Sequence, residues 1–173
     1  MGSAADIPAA LIDLCHATTD AEADKAYWRI DNVVVVQGRL FEAAAATATC
    51  ILTCLPGTVG IARTRLLELL VQLGNGEPDP SELALGNVTL SDVVRRELTR
   101  AFSFYAYLIQ SGLHDSNETE CLIHCIDLLL VCSLYERSLK DRVVWYYEML
   151  LENGIEQDEV RQLISNCLIE VRK

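Results

Sequence analysis

The sequence predicts an all-α fold: an α-solenoid of about four stacked antiparallel helix pairs, about eight helices, forming one helical-repeat domain over 1–173. Three observations predict it. Apolar residues recur at three- and four-residue spacing between Gly, Pro and Asn stops. The chain is 51% hydrophobic but only 6% aromatic, a store of small aliphatics that suits helix-on-helix packing. Helix starts expected at Leu40, Asp92 and Leu139 lie 52 and 47 residues apart, near the period of about 40–47 residues of two-helix HEAT-type repeats. A bundle of the same helices is the competing arrangement.

The elements follow in order. Asp6 is placed to cap a first helix with Pro8 in its first turn and Ile7, Leu11, Ile12, Leu14 and Cys15 along its apolar side. Asp20 is placed to cap a second, running through Trp28 and Ile30 to Val36 and stopping at Gln37-Gly38. The run Val33 to Val36 has strand composition, but no second strand is evident nearby, so it reads as the buried end of that helix. A third helix covers 40–55 and ends at Pro56-Gly57, and a fourth runs from Gly60 to Gly74-Asn75-Gly76. Positions 77–90, with Pro78 and Pro80, read as the longest loop. Ser91 opens a fifth helix that continues to Gly112, and Asn117 with Glu120 resembles a capping box for the sixth. The seventh covers 139–151, stopped by Asn153-Gly154, and the eighth starts at Gln157.

Composition also excludes functions. A net charge of −11 disfavours nucleic acid and anionic membranes, because phosphate binding rests on Lys and Arg displacing counterions. It favours a basic protein partner and a fast encounter with it. Residues 43–62 lack charge over the length of a membrane span of about 20 residues, but Thr47, Thr49, Thr53 and Pro56-Gly57 divide them into two short buried helices. The first six residues lack a basic stretch and apolar core, so no secretory signal is expected. Seven cysteines, an odd number mostly within apolar runs, fit a reducing cytoplasm.

Each chemistry-bearing residue also has a competing structural role. His16 and His114 fall at expected helix ends, where His caps carbonyls. Cys121, His124 and Cys125 share one helix face; a zinc site needs a fourth ligand, and flanking Leu122, Ile123 and Ile126 favour burial. Cys50 and Cys54, one turn apart, read the same way. Gly57-Thr58-Val59-Gly60 lacks the Lys and preceding strand of a phosphate loop, and no G-x-S-x-G or H-E-x-x-H occurs. No catalytic residue, metal or cofactor is expected.

Charge points to a binding surface instead. If helices pair, one edge collects Asp20, Glu22, Asp24, Asp115, Glu118, Glu120, Glu152, Glu156, Asp158 and Glu159, while Arg39, Arg137, Lys140 and Arg142 fall on the other. Most of those acids open helices, where carboxylates gain about 0.3–1 kcal/mol from exposed N–H groups, so capping alone is the competing explanation. Trp28 and Trp145 are of a type that fills cores or anchors partners. Adjacent helical residues diverge by about 100°, so Trp145, Tyr146 and Tyr147 cannot all point inward. The candidate partner-binding residues are Asp115, Glu118, Glu120, Trp145, Tyr146, Glu152, Glu156, Asp158 and Glu159.

The stretch Trp28-Arg29-Ile30-Asp31-Asn32, then Gln37-Gly38-Arg39-Leu40-Phe41-Glu42-Ala43-Ala44, then Arg65-Leu66-Leu67-Glu68-Leu69-Leu70, resembles bacterial HEAT-like repeat proteins. In these an Asn and a Gln-Gly precede an alanine-rich helix, followed by an Arg-Leu-Leu-rich one. Asp141-Arg142-Val143-Val144-Trp145 through Leu150-Leu151 is similar to a closing repeat. The chain departs from regular arrays in lacking prolines inside the first helix of each pair. The resemblance implies an immunity protein that neutralises a cognate, basic toxin domain by blocking its active site or substrate access. A general HEAT-like scaffold or adaptor is the alternative. An all-helical enzyme would require an aromatic-lined pocket holding a histidine or paired carboxylates.

Overall fold

The computed structural model describes residues 3–112, 119–152, 155 and 157–173. Ten α-helices and three two-residue strands form among them. The chain divides into two compact units, Met1–Leu98 and Thr99–Lys173.

In the first unit, Ser3 caps a 3₁₀ turn, Ala4–Asp6, that leads into α1 (Ile7–Cys15). Asp6 precedes α1 but makes no side-chain cap, contrary to expectation, because that turn already holds its backbone. Ile7, Ala10, Leu11 and Leu14 are buried at i, i+3, i+4 and i+7, and that stripe lies along α2 (Asp20–Val34). Ile12, expected on the apolar side, falls off the stripe and is exposed. The cap of α2 is Thr19, not Asp20. Its hydroxyl accepts from Glu22 N, and Glu22 returns to the Thr19 N–H in a capping box.

The expected helical end at Val36 is corrected. The helix stops at Val34, and β1 (Val35–Val36) pairs antiparallel with β2 (Arg39–Leu40). The missing partner strand lay only two residues away. Gln37 and Gly38 both have positive φ, 51° and 73°, the two-residue turn whose twist suits a hairpin. They form that turn, where the sequence predicts the stop of a helix. β3 (Glu77–Pro78) adds parallel to β2.

Two further expectations shift here. The third helix is α3 (Ala44–Cys54), because Leu40 is taken by the hairpin. The expected loop over 77–90 contains β3 and α5 (Pro80–Ala84), pinned by Glu82. That carboxylate is buried and accepts from Glu42 N at 3.1 Å and Asn87 Nδ2 at 2.6 Å. The uncharged run divides as expected: α3, a 3₁₀ turn at Leu55–Gly57, then α4 (Gly60–Asn75). No helix among the described residues is long and apolar enough to cross a membrane. Leu66, Leu67, Leu69, Leu70 and Leu73 of α4 are fully buried, and α4 packs on α1, α2 and α3.

The expected fifth helix is two: α6 (Leu90–Arg100) and α7 (Phe102–Gly112). Ala101 separates them, its carbonyl accepting from Phe104 N at 2.8 Å and Tyr105 N at 3.2 Å. That i+3 bond tightens the turn. The apolar stripe Leu90, Val94, Leu98, Phe102, Tyr105 runs through without a Pro or Gly, so periodicity does not mark the break.

In the second unit α7 packs along α8 (Thr119–Tyr135), and α9 (Lys140–Glu152) along α10 (Asp158–Arg172). The capping box expected at Asn117 lies outside the described residues, as do His114, Asp115, Glu118 and Glu156.

Candidate functional site

Helix α9 shows how a surface is made from alternating faces. Val143, Tyr147 and Leu150 are fully buried. Tyr147 donates its hydroxyl to the Ile126 carbonyl of α8 at 2.7 Å and contacts Cys167 of α10. Four residues separate α8 from α9 and five separate α9 from α10, so with Tyr147 touching both neighbours at mid-length the three run alternately up and down. The first turns of α8 and α10 and the last turn of α9 therefore share one end of this unit.

On the outer face Trp145 is 57% exposed. It is not loose. Its ring meets Tyr146 edge-on at 5.0 Å, Tyr146 meets Phe102 at 6.2 Å, and the Arg142 guanidinium lies 4.9 Å over Phe102. Aromatic contacts of this kind are worth about 0.5–1.5 kcal/mol each and the exposed cation–π contact about 0.5–1 kcal/mol. The indole thus rests on a packed aromatic, and a side chain already seated costs less to order on binding. Trp, Tyr and Arg are the residue types that carry interface energy. Tyr146 itself is corrected: expected on the contact surface, it is buried at 8% exposure because it joins the inward stripe and backs Trp145.

Glu120, Glu152, Asp158 and Glu159 are exposed at the shared end. Glu120, Asp158 and Glu159 stand in first turns, where the helix dipole welcomes them. Glu152 stands in the last turn of α9, where the helix dipole opposes a carboxylate. Capping does not explain that residue. Arg161 of α10 covers two carbonyls there, donating to Leu151 O at 3.3 Å and Ile155 O at 3.4 Å.

The acids of the first unit serve its framework. Glu22 accepts from Thr18 N, the Thr18 hydroxyl and Thr19 N, which hold its carboxyl below the usual range. Asp24 pairs with Arg65 at 2.9 Å, and Arg65 also grips Glu68 at 2.8 Å, tying α2 to α4. Burial, with the Glu68 charge beside it, raises Asp31. Trp28 is 56% exposed against the edge of Tyr27, 5.1 Å away, so neither tryptophan fills a core.

The other chemistry is mostly engaged. A cleft of about 370 Å³ between α1 and α2 is lined by Asp13, His16, Glu22, Lys25 and Arg29. Arg29 pairs with Asp13, and His16 Nδ1 donates to the Ile12 carbonyl at 2.8 Å, a capping role as expected. Cys121 and Cys125 are buried and His124 half-buried. Among the described residues no group of three or more His, Cys, Asp or Glu is placed to hold a metal ion.

No family model, curated protein or solved structure matches this chain. Glu120, Trp145, Glu152, Asp158 and Glu159 were visible as candidates in the sequence. The Phe102 and Arg142 support was not, since it depends on α7 meeting α9.

Proposed function

We propose that this chain is a non-catalytic binding protein that engages a basic protein partner through α9 and the acidic end beside it. Trp145 is the anchor, and Glu120, Glu152, Asp158 and Glu159 supply the complementary charge. The observation that carries the reading is an exposed indole resting on Tyr146, which Phe102 and Arg142 back. A net charge of −11 adds electrostatic steering toward a cation-rich surface. The specific case is an immunity protein of the HEAT-like solenoid type, met by its toxin in the cytoplasm, that neutralises it by covering the active site or substrate entry. The packing of consecutive helices in pairs supports that architecture.

Co-expression with a toxin domain encoded beside this chain tests the reading. Wild type restores growth and forms a 1:1 complex. Trp145→Ala weakens that complex by about 2 kcal/mol or more, roughly 30-fold in Kd. No rescue, or rescue and affinity indifferent to Trp145, would reject it. A scaffold or adaptor role is favoured by one observation: Trp28 offers a second exposed indole in the other unit. Several partners of modest affinity, some lost with Trp28→Ala alone, would identify that role.

A further inference from the structure

The seven cysteines fall into two environments. Cys121, Cys125, Cys132 and Cys167 are buried within α8 and α10. Cys15, Cys50 and Cys54 lie together in the first unit, at solvent: Cys50 is exposed, and Cys15 and Cys54 are half-buried. Cys15 is the last residue of α1 and Cys54 the last of α3, two helices in contact. Their side chains are neighbours where those helices meet, and Cys54 Sγ lies 3.3 Å from the Ile51 carbonyl. Two neighbouring thiols from different elements, each half-buried, are within reach of small reagents and of one another.

We propose that Cys15 and Cys54 are a thiol–disulfide exchange site, taking low-molecular-weight disulfides such as glutathione disulfide and closing into a disulfide that staples α1 to α3. In the first step the Cys15 thiolate attacks one sulfur of the small disulfide. A Cys15–sulfur bond forms, the reagent's S–S bond breaks, and one small thiol leaves with a proton. In the second step the Cys54 thiolate attacks Cys15 Sγ, forming the protein disulfide and releasing the second small thiol. Two protein thiols are oxidised and one small disulfide is reduced to two thiols.

The neighbourhood orders these steps. Burial, reinforced by the hydrogen bond and charge of Cys15, pushes the Cys54 thiol up to about 12. Cys54 is therefore the poorer first nucleophile. Once Cys15 Sγ is held in a mixed disulfide it can no longer ionise, so a Cys15 thiolate no longer opposes ionisation of Cys54. The resolving step is then easier than attack by Cys54 on free reagent. Cys132 and Cys167, raised to about 12 by burial, lie within helix packing and stay reduced.

The full-length protein is incubated with glutathione disulfide, alkylated without reductant and digested. Cys50 and Cys54 share a tryptic peptide, so the linkage is assigned in a Cys50→Ser background. The expected result is a Cys15–Cys54 cross-linked peptide, two fewer alkylations, and a melting midpoint raised by on the order of 10 °C, reversed by dithiothreitol. Cys54→Ser should instead accumulate the mixed disulfide on Cys15. Full alkylation of wild type after oxidation would overturn the proposal. So would a cross-link that persists in Cys54→Ser or disappears in Cys50→Ser.

Discussion

Two buried tyrosines of the second unit make opposite predictions from the same substitution. Tyr147 and Tyr105 are both fully buried. The Tyr147 hydroxyl donates to Ile126 O at 2.7 Å, whereas the Tyr105 hydroxyl has no hydrogen-bond partner among the described residues. Tyr147→Phe loses one bond but strands little, because the Ile126 carbonyl lies within α8 and keeps its helical donor. The cost is about 1 kcal/mol. Tyr105→Phe removes a buried hydroxyl that gains nothing in return, so stability rises by up to about 1 kcal/mol. Each kcal/mol moves the midpoint by about 2–4 °C in a chain of this size. With Trp28 replaced by Phe, fluorescence from Trp145 reports on the second unit alone, and urea titrations at one pH compare the variants. Tyr105→Phe falling as far as Tyr147→Phe would refute the hydrogen-bond argument.

Three other tests address the framework. A Cβ on Gly76 would sit 2.5 Å from Leu40 Cδ2, and Leu40 is fully buried, so Gly76→Ala should cost about 1–3 kcal/mol in urea unfolding. Thr19→Ala removes the hydroxyl half of the α2 capping box and should lower stability by about 1 kcal/mol, with amide exchange accelerated first at Glu22. Burial holds the Asp127 carboxyl above its ordinary value of 3.8, so the folded state binds this proton more tightly than the unfolded one. Its contribution to stability therefore rises as pH falls from neutral through the folded pKa toward 3.8. Asp127→Asn should stabilise at pH 7 and flatten that part of the profile.

The helices were legible because their signal is local: apolar spacing and Gly or Pro stops placed α1, α2, α4 and α10 close to where they lie. The hairpin was hidden because Val33 to Val36 suits a buried helix end as well as a strand. Only the positive φ at both Gln37 and Gly38 decides between them. The break at Ala101 leaves no mark because the stripe from Leu98 to Phe102 keeps helical spacing across it. The exposed acids and Trp145 were readable one by one. Tyr146 was misplaced because neighbouring aromatics on α9 compete for the inward face, and α7 and α10 choose among them through Phe102 and Cys167. Contact between Cys15 and Cys54, 39 positions apart, is a tertiary fact with no counterpart in spacing.

Glu152 separates the two explanations of the acidic end. If the acids there serve only their helices, removing any of them should destabilise or do nothing. Asp158 stands in the first turn of α10, so Asp158→Asn should lose about 0.3–1 kcal/mol of stability. Glu152 stands in the last turn of α9, which has no basic residue of its own there, so Glu152→Gln should gain a similar amount. Binding to a basic partner has no such sign change. Both substitutions remove one negative charge from the same end, so both should slow association and flatten its salt dependence. Stopped-flow association at low and high salt, set beside urea titrations, measures the two quantities independently. For Glu152→Gln, higher stability with slower association marks a carboxylate kept for a partner at the expense of its own helix; unchanged association would return the whole acidic end to capping.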